Sequence, residues 1–551
     1  MYRLFSIDAI ASEPVTSQFL PESSGAQVDG PASKSTISTE RNESAPTSPD
    51  QLRLSDRSIA MLLGLISLVV YALAARLRLV NGIPQGDEPH YLIATVALAE
   101  YHTFDIGVVY DNRDYLSFFP EEIERHLSPD ENGQMLPWHN FGAPLLWVPF
   151  FLLWGRAGAT GFMVVVAVLT VLHVFWFLRE LGIVRLYATL TAGLFAVGTT
   201  IYVYSNSLFT ESLAALLLLY AMRVICRRDN SSASLCLASM SLGYLPWLNG
   251  RFLALALPAA LLLLLRVRRS GNGDGIRAYS WAFGPMLLLF GALGALNYLC
   301  FNTFHPSPGN GVKGVGPLQI SPVRGLAGLL FDREFGLFPN FPVLVFVVIG
   351  IGLGIPWVRW QLDAAVGFVA MPYVLATATY SEWWAGFAPP GRYLAVVVPL
   401  LAFYVAVTLQ RIHHWLAILI AAITGLVGFA FNFATDLYPG DRFHWPTPPN
   451  QAMSNLGRLL DLPIAEYLPG LSVSKDDPIP MDEAILTVGW ALVIAMLAAA
   501  VWIFENAPPE RVPPLDLRLF PNPPGRRRTA SSPAGPEAVT AERPPASRPP
   551  T

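Results

Sequence analysis

Long apolar stretches separated by short polar ones run through this chain, and within each stretch the apolar residues are continuous rather than alternating. Such stretches occur near 58–79, 159–179, 186–204, 208–226, 232–248, 251–266, 279–301, 341–360, 363–380, 393–410, 413–432 and 485–504. At about 20 residues each they can satisfy their own backbone in lipid as helices, whereas barrel strands would show a period of two. The pattern predicts an all-α polytopic membrane protein with about twelve transmembrane helices. The stretch 142–154 is shorter and carries Pro144 and Pro149, which predicts a helix lying at the membrane interface instead of a span.

Both ends of the chain are polar. Residues 1–55, rich in Ser, Pro, Thr and acidic side chains, and 506–551, rich in Pro, Arg and Ala, are expected to be disordered tails flanking a transmembrane domain over 56–505. The start lacks the basic, apolar and small-residue succession of a cleaved signal, so the first span is expected to remain as a signal anchor. Loop charges orient the rest. Arg179 and Arg185, Arg223, Arg227 and Arg228, Arg266, Arg268, Arg269 and Arg277, Arg359, Arg411 and the tail residues Arg526, Arg527 and Arg528 all fall on one side of this layout. That side is the cytoplasm by the positive-inside rule, and both termini share it. Span one is ambiguous alone, because Arg76 and Arg78 at one end offset Arg53 and Arg57 at the other. The other face then receives a long first loop (about 80–158), loops 302–340 and 433–483, and turns around Asn206, Asn249 and Trp383.

Composition agrees: 53% of the 551 residues are hydrophobic and 14% charged, too apolar for an ordinary soluble protein. The net charge of -4 decides little, and nothing points to nucleic acid as a partner. Cys226, Cys236 and Cys300 have no metal-ligand spacing and read as small core residues.

The candidate chemistry gathers on the face opposite the arginines. It comprises Asp87, Glu88, His90 and Tyr91 after the first span, Glu211, Asn249 with Arg251, Asp332-Arg333-Glu334, and Glu382-Trp383-Trp384 leading to Arg392-Tyr393. Asp87-Glu88-Pro89 suits a helix start, since Pro fits the first helical position and an acidic residue before it can cap free amides. Capping needs only one carboxylate, and a partly desolvated Asp at the lipid boundary can be tuned as a general base. The helix from His90 to Leu98 is expected to rest, amphipathic, on the membrane surface. Glu211 reads as either a functional acid or an acid favoured by a helix dipole. Arg251 and Arg392 read as interfacial anchors or as phosphate ligands on the side where Arg is disfavoured. Trp383 and Trp384 fit an aromatic belt, but Gly386, Gly391 and Arg392 beside them also suit a sugar ring and a phosphate. His139 reads as a loop residue and His173 as a satisfied histidine within a span.

Gly86-Asp87-Glu88-Pro89-His90-Tyr91, His139-Asn140-Phe141-Gly142-Ala143-Pro144-Leu145-Leu146, the run Gly328 to Leu337, and Trp383-Trp384-Ala385-Gly386 leading to Pro390-Gly391-Arg392-Tyr393 together resemble the GT-C superfamily of membrane glycosyltransferases. The resemblance extends over most of 58–430 and is nearest to a bacterial, family 39-like branch similar to protein O-mannosyltransferases and lipid A aminoarabinose transferases. It implies a multi-pass protein of the bacterial inner membrane that transfers a sugar from a polyprenyl-phosphate-linked donor to an extracytoplasmic acceptor. Asp87 would be the base and Glu88 its companion, available for a metal or the acceptor. Glu211 stands where the family usually has Asp. A divalent metal ion is compatible with this chemistry, with no ligand set implied.

Two rival classes remain at this level. A transporter or flippase would place acidic residues near the bilayer midplane and show repeated halves, and neither pattern is evident. A non-catalytic envelope-assembly subunit would tolerate loss of Asp87.

Overall fold

A computed structural model describes residues 55–504, apart from 131–132, 228–229, 271–274, 307–319, 354–359, 413, 439–450 and 472–476. The tails expected at 1–55 and 506–551 lie outside the described residues, Ser55 excepted. Among the described residues, the helices in chain order are α1 (Asp56–Asn81), α2 (Glu88–Glu100), α3 (Gly107–Asp111), α4 (Gly142–Glu180), α5 (Arg185–Gly198), α6 (Thr200–Val203), α7 (Thr210–Cys226), α8 (Ser232–Leu248) and α9 (Leu253–Ser270). They continue with α10 (Gly275–Phe301), α11 (Pro322–Phe331), α12 (Leu337–Asn340), α13 (Val345–Gly352), α14 (Trp360–Ala378), α15 (Val398–Ile412), α16 (Trp415–Leu437), α17 (Gln451–Leu460) and α18 (Met481–Phe504). A two-stranded antiparallel hairpin, β1 (Leu127–Pro129) and β2 (Met135–Pro137), pairs Leu127 with Pro137.

Among the described residues, seven helices are long and apolar enough to cross a membrane: α1, α4, α9 with its preceding turn, α10, α14, α16 and α18. The other five expected spans are also helical but shorter, at α5, α7, α8, Pro342–Gly352 and α15. Polar termini define where several begin. The Ser55 hydroxyl accepts the Ser58 amide at 3.1 Å to cap α1, and Ser231 caps α8 through Ser234 at 3.2 Å, each satisfying a free first-turn donor. Helix α8 packs on α10 and α7, α1 on α4, and α13 on α15 and α18.

The stretch 142–154 forms the first limb of α4, which turns sharply at Trp154 and at Gly155 (φ 55°, ψ -141°). Leu152, Leu153 and Trp154 are exposed there, leaving the apolar surface an interfacial limb requires.

Helix α2 corrects an expectation. Residues Glu88 to Ala97 are all buried, so this is no amphipathic helix with one face in water. Helix α4 and the segments of the first loop around α3 enclose it.

The two ends of the bundle differ chemically. At one, Asp56 binds Arg179 at 2.9 Å and Arg185 at 2.5 Å, and Glu180 binds Arg223 and Arg227, both at 2.5 Å. His173 contacts Arg223 at this end. The other end carries the candidate site.

Candidate functional site

Gly86 makes the turn that aims Asp87. It has φ +59°, and a Cβ there would lie 2.2 Å from the Phe387 carbonyl oxygen, so only glycine permits this conformation and approach together. Asp87 precedes α2 but makes no side-chain capping bond. Its carboxylate turns instead to Arg392, whose Nη2 donates to Oδ2 at 2.5 Å.

Arg392 is delivered by a loop that is stitched in place. Gly391 donates its amide to the Phe335 carbonyl at 3.0 Å, and the Tyr204 hydroxyl donates to the Pro389 carbonyl at 2.7 Å. Arg392 donates from Nε to Glu211 Oε1 at 2.9 Å and from Nη1 to the Ala385 carbonyl at 3.1 Å, and its guanidinium lies 4.4 Å from the centre of the Phe209 ring. Glu211, in the first turn of α7, also receives Arg251 Nη2. Arg251 in turn lies over the Tyr393 ring at 4.2 Å. Asp87, Arg392, Glu211 and Arg251 therefore form a chain of alternating charge with zero formal sum. Glu211 is fully buried, while the Asp87 side chain keeps 24% of its surface, which makes Asp87 the accessible acid.

Burial by itself would raise the Asp87 carboxyl, but the Arg392 charge, followed by smaller favourable contacts, outweighs it and holds the group well below the usual carboxylate range. Burial also lowers His139 to about 4, with the Asp87 charge offsetting only part of the effect.

Glu88 points elsewhere. It binds the buried Arg78 and accepts the Gln85 amide at 3.1 Å and the Leu208 amide at 2.7 Å. Arg78 also donates to the Asn206 carbonyl at 2.6 Å and the Ser207 hydroxyl at 3.1 Å. This pair ties the end of α1 to the turn before α7. Nearby, the buried Asp436 accepts from Tyr202 at 2.6 Å and Asn206 at 3.3 Å.

Tyr91 packs on His139 with ring centres 4.8 Å apart. The His90 Nδ1 pairs with the Tyr110 hydroxyl at 2.9 Å. Trp383 is buried beneath α11, where a Cβ on Gly328 would approach its ring to 2.4 Å. Trp384 stands edge-on to it, centres 5.7 Å apart. Arg333 has a separate set of partners, lying 3.5 Å from Glu334 and 3.6 Å from Glu483 and donating to the Ala465 carbonyl at 3.2 Å. Asp332, fully buried, accepts the Glu334, Phe335 and Leu471 amides.

The structure thus brings together Asp87, Tyr91, Glu211, Arg251, Arg392 and Tyr393 among the sequence candidates. It adds Phe209, His126 and His139. His139 Nε2 lies 4.0 Å from Asp87 Oδ1, and one donor atom each from Asp87, His126 and His139 falls within 4.8 Å of the others.

No protein-family model and no curated protein matches this sequence. Among solved structures, the fold is similar to the Archaeoglobus fulgidus oligosaccharyltransferase in its apo form, with 14% identity and a TM-score of 0.40. That match covers 77% of this chain and 61% of the archaeal chain.

Proposed function

We propose that this protein transfers a sugar from a polyprenyl-phosphate carrier to an acceptor hydroxyl at the extracytoplasmic membrane boundary, with Asp87 as the general base. The observation that carries this reading is Arg392, a buried guanidinium shared between a reachable carboxylate and a fully buried one. A carrier phosphate offers the Arg392 fork a stronger, bidentate partner than Asp87. Exchange of partners releases a carboxylate oxygen beside the incoming phosphate, where the acceptor hydroxyl must sit. That oxygen takes the hydroxyl proton as the acceptor oxygen bonds to the anomeric carbon. The carbon–phosphate-oxygen bond breaks, the electron pair leaves with the phosphate, and Arg392 stabilises the charge. Glu211 and Arg251 keep Arg392 aimed through the cycle. Glu88 acts in this scheme as a positioning residue, holding the start of α2 through Arg78. Tyr91, Trp384 and Tyr393 are proposed to border the sugar, and Arg333 to serve the second loop. Helices able to cross a membrane, seven among the described residues, suit a donor whose tail stays in the bilayer.

The test is donor titration of the purified full chain with a polyprenyl-phosphate sugar. Arg392→Lys keeps the charge but loses the planar fork, so donor affinity is expected to fall by about tenfold, or roughly 1.4 kcal/mol. Unchanged affinity in both Arg392→Lys and Arg392→Ala would reduce Arg392 to a structural ion pair.

Sidedness is tested separately. In a background lacking Cys226, Cys236 and Cys300, an impermeant thiol reagent applied outside the cell is expected to label Leu116→Cys, at an exposed first-loop position, but not Arg268→Cys. The reverse pattern would move the site to the cytoplasm and exclude an extracytoplasmic acceptor.

A further inference from the structure

Closing the first-loop hairpin brings two histidines together that stand 13 positions apart. His126 precedes β1 and His139 follows β2, and the Trp138 amide donates to the His126 carbonyl at 3.2 Å. The His126 ring is stacked between His90 and Trp138, at 3.7 and 4.7 Å between centres, with interplanar angles of 16° and 18°. His139 is fixed against Tyr91. Its Nε2 is buried, makes no hydrogen bond among the described residues, and faces Asp87 Oδ1 at 4.0 Å. Asp87 meanwhile commits its other oxygen to Arg392.

We propose that Asp87, His126 and His139 form a binding site for a divalent transition metal of the zinc class. Two imidazoles and one carboxylate are a typical three-ligand set for an open zinc site, in which a fourth position takes water or substrate. The donor atoms lie within 4.8 Å of one another. A tetrahedral ion with bonds of about 2.0–2.1 Å needs them somewhat closer, so the donors would draw in around a bound ion. Nitrogen donors favour zinc or cobalt over magnesium, which prefers oxygen ligands and keeps its waters. The hairpin and the aromatic stack hold both rings ready, as a preorganised site requires.

This inference deepens the transfer reading at the same site. When bound, such an ion would make a coordinated hydroxyl more acidic and would supply positive charge beside Arg392. Metal binding is nevertheless measurable without any activity.

The full chain, purified in detergent and stripped with a chelator, is titrated with cobalt(II) and followed by visible absorption, then challenged with zinc. One cobalt per chain with the absorption of a four- or five-coordinate site is expected, displaced by zinc. His126→Ala and His139→Gln should each weaken binding by more than the roughly 10–100-fold typical of losing an outer-shell partner. Both variants are compared with the parent for elution and thermal unfolding, so that a misfolded protein is recognised. Absence of a cobalt spectrum in the folded parent, or equal binding by a folded His126→Ala/His139→Gln double variant, would overturn the proposal. Cobalt bound through these residues in a protein without transferase activity would overturn the transfer reading and leave the metal site standing. Activity without metal binding would do the opposite.

Discussion

Asp87→Asn is expected to lower sugar transfer by about 10²–10⁴-fold, the contribution typical of a positioned general base, with little change in membrane insertion. The amide keeps the size of the carboxylate and its oxygen can still accept the Arg392 hydrogen bond, but it takes no proton. The absence of a side-chain cap sharpens the expectation, because α2 loses no capping bond. Folding has its own pH signature. The folded carboxyl is held below its usual range, so its stabilisation is complete above the unfolded value of about 3.9 and is lost as pH falls through the lower folded value. Asp87→Asn should therefore flatten the acid limb of the unfolding curve. Near-normal turnover in a folded Asp87→Asn protein would leave Asp87 as an ion-pair partner of Arg392 and remove it from the chemistry.

The apolar runs foretold the helices because lipid imposes a simple demand on composition and length, and segments such as α1 and α16 meet it without help from their neighbours. Helix α8 fills its run from end to end, whereas α5 stops six residues short of its own, at Thr199, whose hydroxyl accepts the Ile201 amide, and α7 starts two residues late, at Thr210. Helix α2 misled for another reason. A short helix with few polar residues looks alike whether it lies on a membrane or inside a protein, and only the covering segments of α3 and α4 distinguish the two.

Ion pairs were legible only as unplaced charges. Arg78 counted in the sequence only as a charge that left the first span's orientation ambiguous, and the structure pairs it with Glu88, ten residues later. Nothing local ties Arg392 to Glu211, 181 positions earlier, since their meeting depends on how α7 and α15 are arranged. His126 escaped notice because each hairpin strand has only three residues, too few to show a period. His139 was visible within the motif that resembles the GT-C superfamily, yet its neighbour across the hairpin gives it chemical meaning.

Glu211→Gln is expected to leave transfer less impaired than Asp87→Asn does, yet to destabilise the protein far more. Glu211 is fully buried between Arg251 and Arg392, and removing one member of a buried ion pair strands its partner's charge at a cost of about 3–5 kcal/mol. The glutamine oxygen still accepts a hydrogen bond, and Arg392 still has Asp87. Arg251 keeps the Tyr393 and Phe252 ring faces, at 4.2 and 5.3 Å, but no longer faces the Glu211 charge. Thermal unfolding in detergent should show a large fall in midpoint for Glu211→Gln. Adding Arg251→Leu should recover part of it, because the second substitution removes the stranded charge and the two sites are directly coupled. If Glu211→Gln unfolds at the parental midpoint, or the double variant loses the sum of the two single losses, the alternating chain of charges is not what holds Arg392 toward Asp87. The helix-dipole preference at the start of α7 would then be the only remaining reason for an acid at 211.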